Sequence, residues 1–371
     1  MIDWITAKIP FDHFDSLHDG NVLSLTRDGE IEWSTDKRLG VEGSHDVKLH
    51  IKSDPRTRDP ETGKYTHIMF DGNPIKFLQG HNLFGSDDVT GLMSETLYRV
   101  FKALNLVPSA TDWEFITKGY YELYRVDSTM MLSLGNNSDV EAFLYSAERT
   151  AHMKYKGQGQ STKGTLYFGK HSRRESLKMY NKLKEINSKG HKLPLELSEL
   201  PELIKWVTGM LRLEAVTRAM QLKDLHLNLA CNWGDNTSQD TLYRLLNGLN
   251  MSEQHTLTAE NLDGLPPRLM SIYHLWKDGH DLKKIYSCKT RNAPSTTFIR
   301  YRKELMKFGI DIAIKQGNRP EPNPNVIEFR RVLRPERVDQ IPAWAFGTPL
   351  MFEPRAKMPA YEDLFPQAMT G

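Results

Sequence analysis

The chain has 371 residues, with 49 Lys and Arg against 47 Asp and Glu, and only two cysteines, Cys231 and Cys288. That length accommodates two domains, one with a sizeable core. The near-neutral charge leaves any attraction for nucleic acid to local patches, and two cysteines outside any CxxC pair exclude a zinc ribbon and fit a reducing compartment.

The start, MIDWITAKIPF, has no basic segment leading into an apolar run, so it does not read as a secretory signal. No apolar run is long enough to span a bilayer, and the expectation is a cytosolic protein. Residues 2–9 alternate as an opening strand. Further strands are expected at Asn21–Thr26, Glu30–Ser34, Val47–Ile51 and His67–Phe70, with Gly and Asp marking the turns. Residues 89–105 space Leu92, Leu97, Val100, Phe101 and Leu104 as a helix does, and 117–134 return to a β pattern. A helix over Glu141–Lys154 is followed by a loop, KGQGQSTKG (156–164). A helix over 201–210 ends near Gly209 and feeds a strand, LRLEAVTRA (211–219). The alternation predicts one α+β domain over residues 1–250. Helices dominate 251–318, and a Pro-rich linker, RPEPNPN (319–325), leads into a short strand, VIEFRRVL, and the tail to 371.

Three places in the first 250 residues could carry chemistry. As a strand, YELYRVDSTMM puts Tyr121, Leu123, Arg125, Asp127, Thr129 and Met131 on one face. Charges among apolar neighbours must be paired or bound to a metal, so Arg125 and Asp127 read as an ion pair at a sheet edge or as part of a metal site. A second unit, Arg212-Leu213-Glu214, sets Arg212, Glu214 and Arg218 on one face and Leu211, Leu213 and Ala215 on the other. Two acids on adjacent strands can share Mg²⁺ or Mn²⁺, hard ions that favour oxygen. In FLQGHNLFG (77–85), His81 follows a strand-like run in a loop, where an imidazole could reach a metal or a phosphate, or simply be exposed.

The stretch TLYFGKHSRRESLKMYNK (165–182) sets two tyrosines among Lys170, Arg173, Arg174, Lys178 and Lys182. TLYFG reads as a strand. Beyond it, Ser172 and Glu175 form a capping box that favours a helix, whereas the alternation of Leu177 and Met179 favours a hairpin strand. Tyr180 is flanked by Lys178 and Lys182 in either case. A phenol of pKa ~10 needs nearby cations to act as a nucleophile at neutral pH. Tyr167, beside Phe168 at a strand end, reads as packing.

In order, QGHNLFG, RVDST, a basic segment ending KMYNKLKE, and GMLRLEAVTR resemble the gene II/gene X replication initiators of filamentous phages, over nearly the whole chain. YFG…S…Y-x-K followed by R-x-E is similar also to the Rep initiators of staphylococcal rolling-circle plasmids. The resemblance implies a Rep/relaxase-like nuclease domain with a central, mainly antiparallel sheet. It implies a nickase and strand transferase that cuts the viral strand of replicative-form DNA at its origin, leaves a 3′-hydroxyl for the host polymerase and later rejoins the strand without ATP. By the same resemblance Tyr180 is the nucleophile, with Lys178 and Lys182 as phosphate clamps. Asp127 and Glu214 are ligands of Mg²⁺ or Mn²⁺, with His81 as a further candidate. Arg173, Arg174 and Arg212 are expected against DNA. The implied setting is the host cytoplasm, with a host helicase as a further partner and an oligomer on DNA possible. The chain departs from better-known relatives in having no clear His-hydrophobic-His strand.

Residues 268–312 predict a helix ending near Asp278-Gly279, a short one in HDLKKIY, a turn at Asn292-Ala293-Pro294, and a helix capped by Ser295 or Thr296 and running to Lys307-Phe308-Gly309. The last carries Arg300, Arg302, Lys303 and Lys307. The pattern fits a helix-turn-helix on a DNA groove or a helical bundle with a solvated basic face. Two other functions stay open on the residues: a non-catalytic origin-binding protein, indifferent to Tyr180→Phe, and a tyrosine recombinase, indifferent to EDTA.

Overall fold

The computed structural model describes residues 1–251, 265–288, 293–308, 310, 312–313, 338, 341–355 and 357–369. The expected Pro-rich linker at 319–325, the strand at 326–333, Asn292 and Gly309 lie outside the described residues.

The first strand, β1 (Ile2–His13), buries Ile5, Ala7 and Ile9 and turns Trp4, Thr6 and Lys8 the other way, the period-2 alternation read from the sequence. It lies in the middle of a nine-stranded sheet. A small outlying hairpin of β2 (Asn21–Leu25) and β3 (Ile31–Asp36) follows, and then β4 (Leu39–Glu42), β5 (Lys48–Ser53) and β6 (Tyr65–Gly72). The other half comes from β7 (Glu122–Ser133), β10 (Gln160–Thr162), β11 (Thr165–Phe168), β12 (Glu175–Asn181) and β13 (Met210–Arg218). The order is β10-β11-β12-β13-β7-β1-β6-β5-β4, and every adjacent pair is antiparallel. The expected antiparallel α+β fold is therefore the one observed.

Helices α1 (Pro74–Gln79), α2 (Val89–Ala103) and α3 (Ala110–Thr117) cover one half of the sheet, packing Leu92, Leu97, Phe101 and Ile116 against Ile5, Ile9, Phe70 and Val126. Helices α4 (Asn137–Thr150) and α9 (Thr237–Asn247) bring Phe143, Leu242 and Leu245 onto the same face of the other half, against Met130, Leu177, Met179, Leu211 and Leu213. Burying these side chains removes apolar surface from water at roughly 25 cal/mol per Å².

The opposite face is polar at its centre and closed at one end. There α5 (Lys182–Ile186), α6 (Leu195–Ser198) and α7 (Pro201–Val207) pack Ile186, Leu197 and Leu203 with Met131, Met210 and Phe84. Ala345 and Met351 of the C-terminal segment join that cluster, and Phe365 docks edge-on to Trp113 in the first one. A further helix, α8 (Ala219–Asp224), follows β13.

Two local readings change. The residues before His81 form helix α1, capped by Asn73 with Pro74 in its first turn, rather than a strand. The loop at 156–164 contains β9 (Gly157–Gln158) and β10, because β8 (Ala151–Met153) leaves α4 early and turns back on β9.

The region after 265 has its own core, in which Leu269, Ile272, Leu282, Phe298 and Leu305 pack together from α10 (Pro267–Lys277), α11 (Leu282–Ile285) and α12 (Thr296–Leu305). Ser295 caps the last of these through the Phe298 N–H, as its sequence predicts. No described helix is long and apolar enough to cross a membrane.

Candidate active site

Strand register assembles the candidate residues. Arg125, Asp127, Thr129 and Met131 of β7 oppose Arg218, Val216, Glu214 and Arg212 of β13, and Glu214 and Arg212 in turn oppose Lys178 and Tyr180 of β12. Trp4 opposite Asp127 continues the row on β1, and Tyr167 opposite Lys178 continues it on β11. The charged and aromatic members of this row share the polar face. Leu177 and Met179 are drawn into the core on the other face, which makes 175–181 a strand and resolves the helix-or-strand ambiguity. Ser172 Oγ accepts from the Arg174 and Glu175 N–H groups, yet these bonds cap the turn before β12 rather than a helix.

At the centre, Arg125 grips both oxygens of Asp127, Nε to Oδ1 at 2.7 Å and Nη2 to Oδ2 at 2.6 Å. Lys178 donates to Glu214 Oε1, and its Nζ lies 3.6 Å from Asp127 Oδ2. The Tyr180 phenol donates to Glu214 Oε2 at 3.2 Å. Burial and the neighbouring Glu214 raise the pKa of Asp127 despite Arg125. Glu214 is lowered, because Lys178 and Arg212 outweigh its burial. Tyr180 is only 8% exposed, and burial pushes its pKa well above 10 although Arg212 pulls it down. At rest the proton therefore belongs to the phenol.

A second buried polar cluster adjoins this row and shares Arg212 with it. Arg212 is fully buried, donates to the Asn82 carbonyl and sits 3.1 Å from Asp3 Oδ1. Asn82 and Asn73 donate to the same Asp3 oxygen, each at 2.7 Å. Lys182, also fully buried, donates to Asn82 Oδ1 at 3.0 Å and to Glu185 at 2.8 Å. Burial would raise Asp3, but Arg212 and Lys182 bring it to about 2, while burial and Arg212 lower Lys182 to about 8. Two expectations are corrected. Arg212 has no surface to offer DNA because its guanidinium is enclosed by the cluster. Lys182 is an interior cation and not a surface phosphate clamp.

His81 is corrected as well. It is buried, not exposed in a loop, and its Nδ1 accepts from the Leu83 N–H at 3.3 Å, which leaves the proton on Nε2. Its ring packs edge-on against Phe84, and burial lowers its pKa to about 4. Among the described residues no three His, Cys, Asp or Glu side chains form a metal-binding group. The Asp127–Glu214 pair as arranged does not fit a divalent ion. Each carboxylate oxygen of the pair already accepts from Arg125, Lys178 or Tyr180, and the Lys178 ammonium stands where a cation would compensate both acids.

Of the expected DNA-facing cations, Arg173 is exposed. Arg174 is tied to Asp224 and Gln221 of α8. On α12, Arg300, Lys303 and Lys307 just beyond it are exposed, and Arg302 is half-buried. Sequence reasoning missed Asp3 and Asn82. An aspartate inside the apolar alternation of IDWIT was the available signal for the first, and Asn82 sat within the quoted QGHN.

A family described as the N-terminal part of the gene II replication-associated protein matches residues 1–236, and one described as its C-terminal part matches residues 267–351. The replication-associated protein of Enterobacteria phage I2-2 is 38% identical over 335 residues, which cover 90% of this chain and 93% of that protein. Its counterpart in Enterobacteria phage M13 is 25% identical over 180 residues, 44% of this chain and 43% of that one. A rolling circle replication initiator protein from Geobacillus stearothermophilus aligns over 70% of this chain and 88% of its own at 13% identity, with a TM-score of 0.33. With residues 1–236 matched, which hold the whole polar-faced sheet, the chain belongs to the gene II replication-associated protein family of filamentous phages.

Proposed function

We propose that this chain starts rolling-circle replication by nicking the viral strand of the double-stranded phage origin, with Tyr180 as nucleophile. The observation that carries this reading is the Tyr180–Glu214–Lys178 line on one sheet face: a phenol hydrogen-bonded to a carboxylate that a lysine also holds. The Tyr180 oxygen attacks the scissile phosphorus and the bond from phosphorus to the 3′-oxygen breaks. The phenolic proton passes to Glu214, and a proton is returned to the 3′-oxygen. The products are a 5′-phosphotyrosine and a 3′-hydroxyl that primes the host polymerase.

Proton transfer from a phenol of raised pKa to a carboxylate of lowered pKa is uphill at rest. A phosphate that draws Lys178 away from Glu214 restores the basicity of the carboxylate and places the ammonium on the charge that develops in the transition state. The phosphotyrosine keeps the phosphodiester energy, so a second 3′-hydroxyl can reverse the step and close the displaced strand without ATP. The exposed cations of α12 suit phosphate contacts on duplex origin DNA, and the work would proceed in the host cytoplasm beside a host helicase.

The test is nicking of a supercoiled plasmid carrying the cognate origin, by wild type and Tyr180→Phe, with EDTA, Mg²⁺ or Mn²⁺. Loss of nicking in Tyr180→Phe supports the reading. Tight origin binding without nicking by wild type in any condition would leave an origin-binding protein instead. A requirement for Mg²⁺ or Mn²⁺ would mean that Lys178 and Arg125 surrender carboxylate oxygens.

A further inference from the structure

At the β10–β11 edge of the sheet lies a cleft of about 660 Å³, walled by the β8–β9 turn, the turn between β11 and β12, and α9. Its lining is basic. Lys154, Lys156, Lys170, Arg174 and Arg244 line it together with one carboxylate, Glu175, whose oxygens are taken by Lys156 at 2.8 Å and by Arg244, while Arg174 is paired with Asp224.

Two aromatic rings stand in this basic wall, each with a lysine ammonium over it. Lys154 Nζ is 5.1 Å from the Tyr155 ring centre, and Lys170 Nζ is 4.9 Å from that of Tyr167. Tyr155 is 77% exposed at the tip of the β8–β9 turn, with a φ of 66°. A bulky L residue avoids that left-handed conformation, and such outliers concentrate where a side chain is held for use. Tyr167, read from sequence as packing, is half-buried in the cleft and lies directly across the strand pair from Lys178. Tyr167 thus lines the cleft and is the strand neighbour of Lys178 in the candidate active site.

Aromatic rings interleaved with ammonium groups suit a flexible polyanion with stacking faces. A duplex presents its phosphates but hides its base faces, whereas a single strand offers both. We propose that this cleft is a binding groove for the single DNA strand that flanks the scissile phosphate, with bases stacked on Tyr155 and Tyr167 and phosphates held by Lys154 and Lys170. The choice of DNA rests on the nicking reading above; the groove itself does not depend on which residue is the nucleophile.

The experiment measures fluorescence anisotropy of a labelled oligodeoxythymidine of about 12 nucleotides, within the usual site size, binding to the full chain over a series of salt concentrations. Tyr155→Ala is expected to weaken binding about tenfold, and Tyr155→Phe to keep it, because only the ring face is used. Lys154→Ala combined with Lys170→Ala is expected to flatten the slope of log affinity against log salt by about 1.4, at roughly 0.7 for each phosphate no longer neutralised. Duplex of the same length is expected to change less than about twofold with Tyr155→Ala, because paired bases cannot stack on the ring. The side chain is exposed, so an unchanged melting temperature confirms that the variant is folded. Wild-type affinity in Tyr155→Ala, or equal losses on single strand and duplex, overturns the proposal. Tyr180→Phe measured alongside separates the two claims: if it still nicks, the assignment of the nucleophile fails, while the groove is judged on the Tyr155 variants.

Discussion

The hydroxyl of Tyr180 and the carboxylate of Glu214, on neighbouring strands, meet at 3.2 Å on a sheet face whose centre is charged and polar. In the proposed nicking step, Glu214 would accept the proton that Tyr180 must lose. Glu214→Gln keeps the shape and removes the base, so nicking is expected to fall about 10²- to 10⁴-fold, the usual range for a lost general base. Single-turnover rates on origin DNA check this. A variant within a few-fold of wild type would remove Glu214 from the chemistry.

Arg212 is buried and depends on Asp3 for its countercharge. Asp3→Ala leaves that guanidinium enclosed without its paired carboxylate, a loss of roughly 3–5 kcal/mol for broken buried pairs. Urea unfolding followed by circular dichroism is expected to show it as an earlier midpoint. A midpoint equal to wild type would mean that the Asn82 carbonyl alone satisfies Arg212.

The buried ring of His81 sets an acid limit on stability. Its pKa drops from 6.5 to about 4 on folding, first through burial and then through the charge of Lys182. Between those values the unfolded chain takes up a proton that the folded chain refuses. Stability from this residue is therefore complete above pH 6.5 and declines as the pH falls towards 4, by roughly 3 kcal/mol in all. Unfolding midpoints at pH 7 and pH 4.5 are expected to converge in His81→Gln relative to wild type. Equal acid losses in both proteins would place the acid limit elsewhere.

The exposed face of α12 makes a prediction about ionic strength. If Arg300 and Lys303 each meet a phosphate of duplex origin DNA, each alanine variant lowers the salt slope of binding by about 0.9. Affinity measured from low to moderate salt reads this directly. Unchanged slopes would leave α12 as a solvated basic helix.

Much of this was legible in the sequence, for a physical reason. Period-2 patterns over IDWITAKI, YRVDSTMM and LRLEAV are local, and each fixed which side chains share a face. Arg125 with Asp127, and Arg212 with Glu214, could be placed together before any partner strand was known. What was not legible came from long-range pairing. Nothing near Arg212 announces Asp3, and only the sheet order that seats β7 between β1 and β13 brings them into contact. His81 and Lys182 were misjudged for the same reason: burial depends on what packs above a residue, and the side chains that gather around Phe84 arrive from elsewhere in the chain. The capping-box reading of Ser172 and Glu175 identified real hydrogen bonds but the wrong continuation. Four residues cannot tell a helix start from a turn into a strand, whereas Leu177 and Met179 facing the core can.

The most direct measurement is to trap the covalent adduct on origin DNA labelled on the viral strand and to map the attached peptide by mass spectrometry. We expect a 5′-phosphodeoxynucleotide on Tyr180, and no adduct in Tyr180→Phe. An adduct that persists in Tyr180→Phe and maps to Tyr167, which lies on the same face opposite Lys178, would contradict the assignment of Tyr180.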